Sequence, residues 1–209
     1  YYRGTSEGYN GGNRIFTGIG IKKYVNPYDA KYQNELLYRQ KAEPAIRYAE
    51  ILLIYAEALN ELGEGASYDI PSWDGSITYT VRRDVEEMKK GIQPVRIRAG
   101  VPDYSPTEYQ NQDVFRKKLK RERQIELFAE GKRYYDLRRW KDAEVEEAMP
   151  VYGCYTFMSN ANKGLFHTPV PISNLSATFS PKMYFWPIKH SELKRNKLLT
   201  QNPGWTYND

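Results

Sequence analysis

Cysteine and histidine are scarce in this chain of 209 residues, which contains one cysteine, Cys154, and two histidines, His167 and His190. A single cysteine excludes a disulfide within the chain and a cysteine-based zinc site. No apolar run approaches the ~18 residues that a membrane-spanning helix needs. The first residues, YYRGTSEGYNGG, include no start methionine and none of the features of a signal peptide. We therefore expect a fragment or a processed form of a longer protein.

Tyrosine and tryptophan are unusually frequent, with 19 and 4 copies respectively. Their rings fill protein cores, and they also form flat apolar platforms with a polar tip. The rest of the composition, 40% hydrophobic and 27% charged, is typical of a globular protein with one large domain or two small ones. The net charge of +5 could favour anionic partners, although it bears on solubility more than on function.

The clearest helix in the sequence covers Ala45–Leu62, with Pro44 at its first turn and Gly63 just after its end. One stripe of this segment is charged, whereas its other positions are nearly all apolar. We therefore predict a deeply buried helix whose charged stripe is ion-paired or hydrated. The stripe consists of Glu43, Arg47, Glu50, Glu57 and Glu61.

Three further helices are predicted downstream. The first covers Val81–Lys90 and continues weakly beyond it. The second starts at Pro106 behind the N-cap residue Ser105, and the third covers about Asp113–Trp140. We expect the helices to pair as hairpins and their charged stripes to form a partly buried ion-pair network. The stripe of the last helix consists of Arg123, Glu126, Glu130 and Arg133. Long irregular loops are predicted over 63–80 and 141–184.

The charged residues form no recognisable catalytic or metal-binding pattern. Glu122, Glu126 and Glu130 recur at steps of four, but di-metal bundle sites need Glu-x-x-His partners, and interleaved arginines neutralise this ladder. The basic run RKKLKRER fits a solvated helix face better than a nucleic-acid interface. His167 and His190 lie in irregular segments, where a histidine is more often a surface residue than a general base. No pair of carboxylates suggests a glycosidase.

Two groups of aromatic residues lie in the predicted loops. Loop residues follow no helical period that would place them in a core, so an exposed platform for the apolar faces of sugar rings is one hypothesis. The competing interpretation is that each ring packs over the helices, with Trp73 as a hydrophobic contact that fixes its loop. The first group is Tyr68, Trp73 and Tyr79, and the second is Tyr152, Tyr155, Phe157 and Phe166.

Four segments, in their order along the chain, resemble the C-terminal portion of the SusD/RagB family. They are IRYAEILLIYAEALNELG, VRIRAGVPDY, RERQIELFAEGKRYYDLRRW and the closing FWPIKHSELKRNKLLTQNPGW. The resemblance covers about Arg39 to the end, and at Lys189 the family often has a second proline. It implies a mainly α-helical fold of tetratricopeptide-like helical hairpins with long irregular loops. It also implies that 1–209 is the C-terminal part of a longer domain whose N-terminal part is absent.

The same resemblance implies a lipoprotein exposed at the outer-membrane surface, with its lipid on a cysteine of the absent N-terminal part. Its partners would be an oligosaccharide or polysaccharide and a SusC-like TonB-dependent transporter barrel, with no catalysis, no cofactor and no nucleic acid. In this chain the glycan-binding candidates are Trp73, Tyr68, Tyr79, Tyr152 and Tyr155. The alternative is a scaffold that contacts only the transporter while the absent N-terminal part holds the glycan.

The closing segment is interpreted as structural. In the family its WPI stretch packs back on the helices, and QNPGW ends the chain. The turn Asn202-Pro203-Gly204 should place Trp205 as a mostly buried anchor.

Overall fold

The structure, a computed structural model, describes residues 19–21, 23, 26, 28–32, 35–37, 44–155, 163–172 and 178–206. The chain divides into two compact units, one of Asn26–Arg133 and the other of Tyr1–Val25 together with Tyr134–Asp209. Phe157, one of the predicted platform residues, lies outside the described residues. The described part is mainly helical with short antiparallel strand pairs, which confirms the predicted fold class.

The unit Asn26–Arg133 is built around three longer helices. Gly63 follows the first of them with a φ of +85°, the left-handed conformation in which glycine commonly ends a helix. Ser105 and Glu108 form the predicted capping box, with the Ser105 N–H donating to Glu108 Oε2 at 2.8 Å. The elements are β1 (Ala30–Tyr32), β2 (Glu35–Leu37), α1 (Tyr48–Glu61), β3 (Ser67–Pro71), β4 (Thr78–Arg82), α2 (Val85–Arg98), α3 (Pro106–Gln110) and α4 (Gln112–Glu126).

Helices α1 and α2 run antiparallel, because the end of α1 contacts the start of α2 and earlier residues of α1 contact later residues of α2. Arg83 Nε, just before α2, donates to Asn60 Oδ1 near the end of α1 at 3.1 Å. Further into α2, Glu87 Oε2 accepts from the hydroxyl of Tyr55 at 2.8 Å. The two helices therefore form a helical hairpin, as predicted.

Helix α1 also packs antiparallel to α4. Gln112, at the start of α4, donates from Nε2 to the Asn60 carbonyl oxygen at 2.8 Å. At the other end of α1, Arg47 pairs with Glu126 (2.8 Å) and with Glu130 (2.6 Å). These pairs confirm the predicted ion-pair contact between the two charged stripes. Because α1 contacts both α2 and α4, it is the central helix of the unit.

The apolar core of this unit lies where α1, α2 and α4 meet. The rings of Tyr109 and Phe115 lie 4.9 Å apart inside it. Burial of such side chains supplies the main free energy that holds the three helices together. The buried members are Leu53, Ala56, Leu59, Met88, Ile92, Val95, Tyr109, Phe115, Leu119 and Leu127.

Helix α1 is nevertheless not buried all round, so the prediction of a deeply buried helix is wrong for one face. Tyr48 is 76% exposed, Ile51 48%, Ile54 46% and Tyr55 41%. The opposite face carries Leu53 and the other core residues. The residues of the exposed face are apolar, as predicted, but the described chain does not bury all of them.

Helix α2 begins at Val85 and not at the predicted Val81, and it continues past Lys90 to Arg98. Gly91 lies in its interior, against α1. A Cβ atom at Gly91 would lie 2.5 Å from the Leu52 carbonyl oxygen and 2.9 Å from Ala56 Cβ. The glycine therefore permits close helix packing and does not end the helix.

The long helix predicted over about Asp113–Trp140 is broken in the structure. Helix α4 ends at Glu126, and α5 (Lys132–Arg139) begins six positions later. Between them Ala129 has a φ of +63° and Gly131 a φ of +73°. Left-handed residues cannot continue a right-handed helix, so the chain changes direction there.

The described residues of the second unit form short elements. None of the helices in the described residues combines the length and apolar character needed to cross a bilayer. Beyond α5, the elements are α6 (Ala143–Glu146), β5 (Tyr152–Cys154), a 3-10 turn (Lys163–Leu165), β6 (Pro169–Pro171), a second 3-10 turn (Pro181–Tyr184) and α7 (His190–Arg195).

The closing segment is held by Trp205, as predicted, but the ring is half-buried rather than mostly buried. Its indole N–H is shared between the carbonyl oxygens of Lys182 (3.0 Å) and Phe185 (2.9 Å). Gly204 precedes it with a φ of +81°, and a Cβ there would lie 2.8 Å from Lys182 Cβ. Hydrogen bonding therefore contributes to this anchor together with burial.

Candidate functional site

The predicted loop over 63–80 contains a β-hairpin, which corrects that prediction. Strands β3 and β4 pair in register from Ser67 opposite Arg82 to Pro71 opposite Thr78. All residues of β3 and four of the five in β4 are exposed. The hairpin therefore has solvent on both faces. Its second strand, TYTVR, is rich in the β-branched and aromatic residues that favour strands.

Hydrogen bonds fix the turn of this hairpin. The N–H of Ser72 donates to the Ile77 carbonyl at 2.7 Å, and the N–H of Gly75 donates to the Ser72 carbonyl at 2.9 Å. Asp74 Oδ1 accepts from the Ser72 hydroxyl (2.6 Å), the Ser76 hydroxyl (2.8 Å) and the Ser76 N–H (3.1 Å). These bonds, that of the Ser72 hydroxyl first, lower the pKa of Asp74 to about 2. The carboxylate is therefore ionised near neutral pH.

Trp73 is presented to solvent by this turn. It lies between Ser72 and Asp74, whose hydrogen bonds fix the local backbone, and its side chain is 99% exposed. An indole that touches so little of its own protein does not fix the loop, so the competing interpretation for Trp73 is wrong. A large apolar side chain held in water on a braced turn is suited to binding a partner.

The two tyrosines of the first group lie on one face of the hairpin. Tyr68 is opposite Val81, and Ile70 is opposite Tyr79, so all four side chains share a face. Tyr68 is 49% exposed and Tyr79 53%. The structure thus brings both tyrosines and Trp73 onto one hairpin, with the tyrosines on the strands and the tryptophan at the turn.

An open cavity of about 740 Å³ lies at the base of the hairpin, next to the start of α2. Ser67, Thr80 and Arg82 from the other face of the hairpin line it, together with Asp84 and Glu86. Hydroxyl, guanidinium and carboxylate groups can donate to and accept from a hydroxyl-rich ligand. The hairpin therefore combines an aromatic tip with a polar recess at its base.

Tyr152 and Tyr155 belong to the other compact unit and form a separate candidate. Tyr152 lies opposite Pro171 in the β5–β6 pair and is 55% exposed. Tyr155 is half-buried, and its N–H donates to the Phe166 carbonyl at 3.1 Å. Of the two, Tyr152 has the more accessible ring.

Sequence reasoning missed an aromatic cluster around Trp186, because the WPI stretch was assigned a purely structural role. Trp186 is 76% exposed, and its indole N–H donates to the Tyr134 hydroxyl at 3.0 Å. The Arg138 guanidinium lies 3.4 Å from the centre of the Tyr134 ring, and Tyr135 is 69% exposed. The available signal was the adjacent pair Tyr134 and Tyr135, because two successive residues in a helix cannot both face the same core.

Glu122, Glu126 and Glu130 pair with arginines, as predicted, but the arginines of these pairs lie on α2 and before α1 and are not interleaved with the glutamates. In the part of the chain that the structure describes, no group of three or more metal-ligating side chains is arranged to hold a metal ion. The pairs are Glu122 with Arg96 (2.5 Å), Glu126 with Arg98 (2.6 Å) and Glu130 with Arg47 (2.6 Å).

The chain belongs to the SusD family, whose family model matches residues 1–205. It is similar to the SusD-like protein P2 of Formosa agariphila, with 32% identity over 163 residues that cover 77% of this chain and 25% of that protein. It is also similar to the crystal structure of a SusD-like protein from Bacteroides fragilis, with 28% identity and a TM-score of 0.59 over 79% of this chain and 26% of that one. The predicted family is therefore confirmed, and the chain spans about a quarter of the length of these relatives.

Proposed function

We propose that this chain is the C-terminal part of a non-catalytic glycan-binding protein at the outer-membrane surface. The whole protein would bind an oligosaccharide or polysaccharide and deliver it to a SusC-like TonB-dependent transporter barrel. A lipid on the N-terminal part, outside this chain, would hold it at the membrane. Membership of the SusD family supports this role. Within the chain, we assign glycan contact to the β3–β4 hairpin, with Trp73 as its principal residue.

The observation that carries the assignment is the 99% exposure of Trp73 on a hydrogen-bonded turn. The turn already fixes the backbone, so binding a ligand orders little additional protein. A sugar ring stacked on the indole removes apolar surface of both partners from water. Burial of ~60 Å² at about 25 cal/mol per Å² corresponds to about 1.5 kcal/mol, near a tenfold change in affinity.

The hairpin geometry favours an oligosaccharide over a single sugar. Four residue steps separate Pro71, beside the turn, from Ser67, which lines the cavity. At about 3.3 Å per residue these steps span about 13 Å. A single ring cannot touch both the indole and the polar recess, whereas a chain of several sugars can.

Calorimetry on Trp73→Ala tests the assignment, with a glycan first selected from an array using the unaltered chain. Trp186→Ala is the matched control, because it removes another exposed indole from the other compact unit. We expect Trp73→Ala to weaken binding about tenfold and Trp186→Ala to leave it unchanged. Unchanged affinity in a folded Trp73→Ala variant would exclude this hairpin and make Tyr152 and Tyr155 the next candidates.

The alternative function is a scaffold that contacts only the transporter. Failure of the unaltered chain to bind any glycan on the array would favour it. New reducing ends after incubation with a polysaccharide would instead indicate hydrolysis and contradict the non-catalytic role.

A further inference from the structure

We propose that two copies of this chain associate by pairing their β4 strands edge to edge, so that two hairpins form one antiparallel sheet of four strands. The paired strand is Thr78–Arg82, and the two-fold axis passes between the Thr80 residues of the two copies. The pairing uses main-chain groups and leaves the turn that carries Trp73 outside the paired strands. This inference concerns assembly of the protein and does not depend on the proposed glycan binding.

The register of the hairpin determines which main-chain groups point away from it. The Ser72 N–H donates to the Ile77 carbonyl oxygen at 2.7 Å, so these two residues form a hydrogen-bonded pair beside the turn. Hydrogen-bonded and non-hydrogen-bonded pairs alternate along an antiparallel ladder. Every second pair therefore has main-chain N–H and C=O groups that point outward. These pairs are Pro71–Thr78, Asp69–Thr80 and Ser67–Arg82.

The two edges of the hairpin are unequal. On the β3 edge Pro71 has no N–H to donate, so a further strand cannot pair there along its whole length. On the β4 edge Thr78, Thr80 and Arg82 each present both an N–H and a C=O. Within the described part of the chain, these outward groups make no main-chain hydrogen bond. The β4 edge is therefore an open edge that can accept another strand.

The open edge is complementary to itself. When two copies pair antiparallel about Thr80, Thr78 of each copy lies opposite Arg82 of the other. The outward groups of both strands then form hydrogen-bonded pairs at all three positions. Tyr79 lies opposite Val81, and pairs of an aromatic with a β-branched residue stabilise sheets. The two Arg82 side chains lie at opposite ends of the paired strands, so no like charges face each other.

The exposure of the hairpin also favours this addition. Two strands with solvent on both faces form only a marginally stable sheet, which further strands stabilise. Pairing uses the open edge of each copy and leaves only the β3 edges, which Pro71 blunts, so the assembly closes at two copies. An edge of five residues is far smaller than the roughly 20–30 residues a side of a stable interface, so the dimer is weak.

Sedimentation equilibrium tests the proposal on two matched proline variants. Thr80→Pro removes the outward N–H at the centre of the open edge, and Asp69→Pro removes the outward N–H of the opposite residue, on the β3 edge. Both variants also remove the same side-chain hydrogen bond, from Thr80 Oγ1 to Asp69 Oδ1 at 2.7 Å. Circular dichroism checks that both variants fold. The concentration series extends to about 1 mM, where weak complexes form.

We expect the unaltered chain and Asp69→Pro to form dimers with similar dissociation constants, and Thr80→Pro to raise that constant about tenfold or more. An unaltered chain that stays monomeric would overturn the proposal. Dimers that survive Thr80→Pro would also overturn it, because another surface would then hold them. Equal loss of dimer in both variants would point to disruption of the hairpin and would contradict pairing at the open edge. Growth beyond two copies would contradict closure.

A second pair of variants tests the register and applies even if proline unfolds the hairpin. Thr78→Glu places each new carboxylate opposite Arg82 of the other copy, whereas Thr80→Glu places the two carboxylates opposite each other. The net charge changes equally in the two variants. We expect Thr78→Glu to tighten the dimer about threefold and Thr80→Glu to weaken it by about the same factor. Equal shifts in the two variants would exclude pairing about Thr80. No glycan enters these measurements, so a failure here is distinct from a failure of the proposed function.

Discussion

Arg47 holds Glu130 with two nitrogen atoms, Nε lying 2.9 Å from Oε2 and Nη2 2.6 Å from Oε1. The Glu130 side chain is 3% exposed and that of Arg47 is 21% exposed. The hydrogen bond with Glu130 is the largest cause that raises the pKa of Arg47, so its charge persists at any physiological pH. This bidentate pair joins positions 83 residues apart and connects the start of α1 with the segment after α4.

Glu130→Ala should lower the free energy of unfolding by about 3 kcal/mol. Removing one partner of a buried pair typically costs about 3–5 kcal/mol. The partial exposure of Arg47 and its second pair, with Glu126 at 2.8 Å, favour the lower end. Urea denaturation followed by circular dichroism measures the change. The control is Glu86→Ala, whose carboxylate is 75% exposed and pairs with Lys89, and which should cost less than about 1 kcal/mol. Equal effects of the two variants would show that the Arg47–Glu130 pair is solvated.

Gly91→Ala should destabilise the protein although alanine is the better helix former. The new methyl group would meet backbone, 2.5 Å from the Leu52 carbonyl oxygen, so α1 and α2 would have to separate. Overpacking of this kind costs about 1–3 kcal/mol, against a propensity gain of about 1 kcal/mol. The midpoint of urea unfolding measures the balance. Gly164→Ala is the control, because its Cβ would meet nothing within 4 Å. A stabilised Gly91→Ala variant would contradict the close approach.

Local signals predicted the helices best where one strong pattern governed the segment. Apolar periodicity between Pro44 and Gly63 placed α1 within a few residues, and Ser105 with Glu108 marked the start of α3. The close packing of α2 against α1 at Gly91 could not be predicted, because it depends on the position of α1, which no local pattern contains.

The residues of the candidate site were predictable from the sequence, but their three-dimensional arrangement was predictable only in part. The Asp74-Gly75 turn signal was recognised, and the structure places a turn there. The flanking strands were missed because Val81 was assigned to the following helix, although Tyr79 and Val81 are spaced as residues on one face of a strand are. Trp73 is almost fully exposed because its turn belongs to a hairpin with solvent on both faces. No local sequence pattern predicts that arrangement.

Acid should loosen the hairpin turn as pH falls below about 4. The pKa of Asp74 is about 2 in the folded protein, below its usual 3.8, so its stabilising effect is complete above 3.8 and is lost as pH falls towards 2. The Ser76 amide, which donates to Asp74 Oδ1 at 3.1 Å, reports this titration by NMR. Asp74→Asn should abolish the pH dependence. A Ser76 amide shift with its midpoint near 4 would show that the hydrogen bonds do not favour the ionised carboxylate.

Trp205→Phe should weaken the closing segment by about 1 kcal/mol. The substitution keeps an aromatic ring near Lys182 but removes the N–H that donates to the carbonyl oxygens of Lys182 and Phe185. Hydrogen exchange measured by mass spectrometry over 180–188 should become faster. Leu198→Ala, at a side chain that is 92% exposed, is the control and should leave exchange unchanged. Unaltered exchange in Trp205→Phe would show that packing alone holds the tail.

Trp73→Ala should leave the free energy of unfolding within about 0.5 kcal/mol of the unaltered protein, as expected for an exposed position away from structural contacts. The indole is 99% exposed, so its removal forfeits almost no packing, and the turn is held by Ser72, Asp74 and Ser76. Gly75→Ala provides the contrast. Its φ of +71° is unfavourable for alanine, so the turn should be strained and the hairpin should exchange amide hydrogen faster. Urea unfolding and hydrogen exchange of both variants measure the difference. A loss of more than about 1 kcal/mol in Trp73→Ala would mean that the indole packs against its own chain, and any affinity lost with it would then reflect folding rather than contact with a glycan.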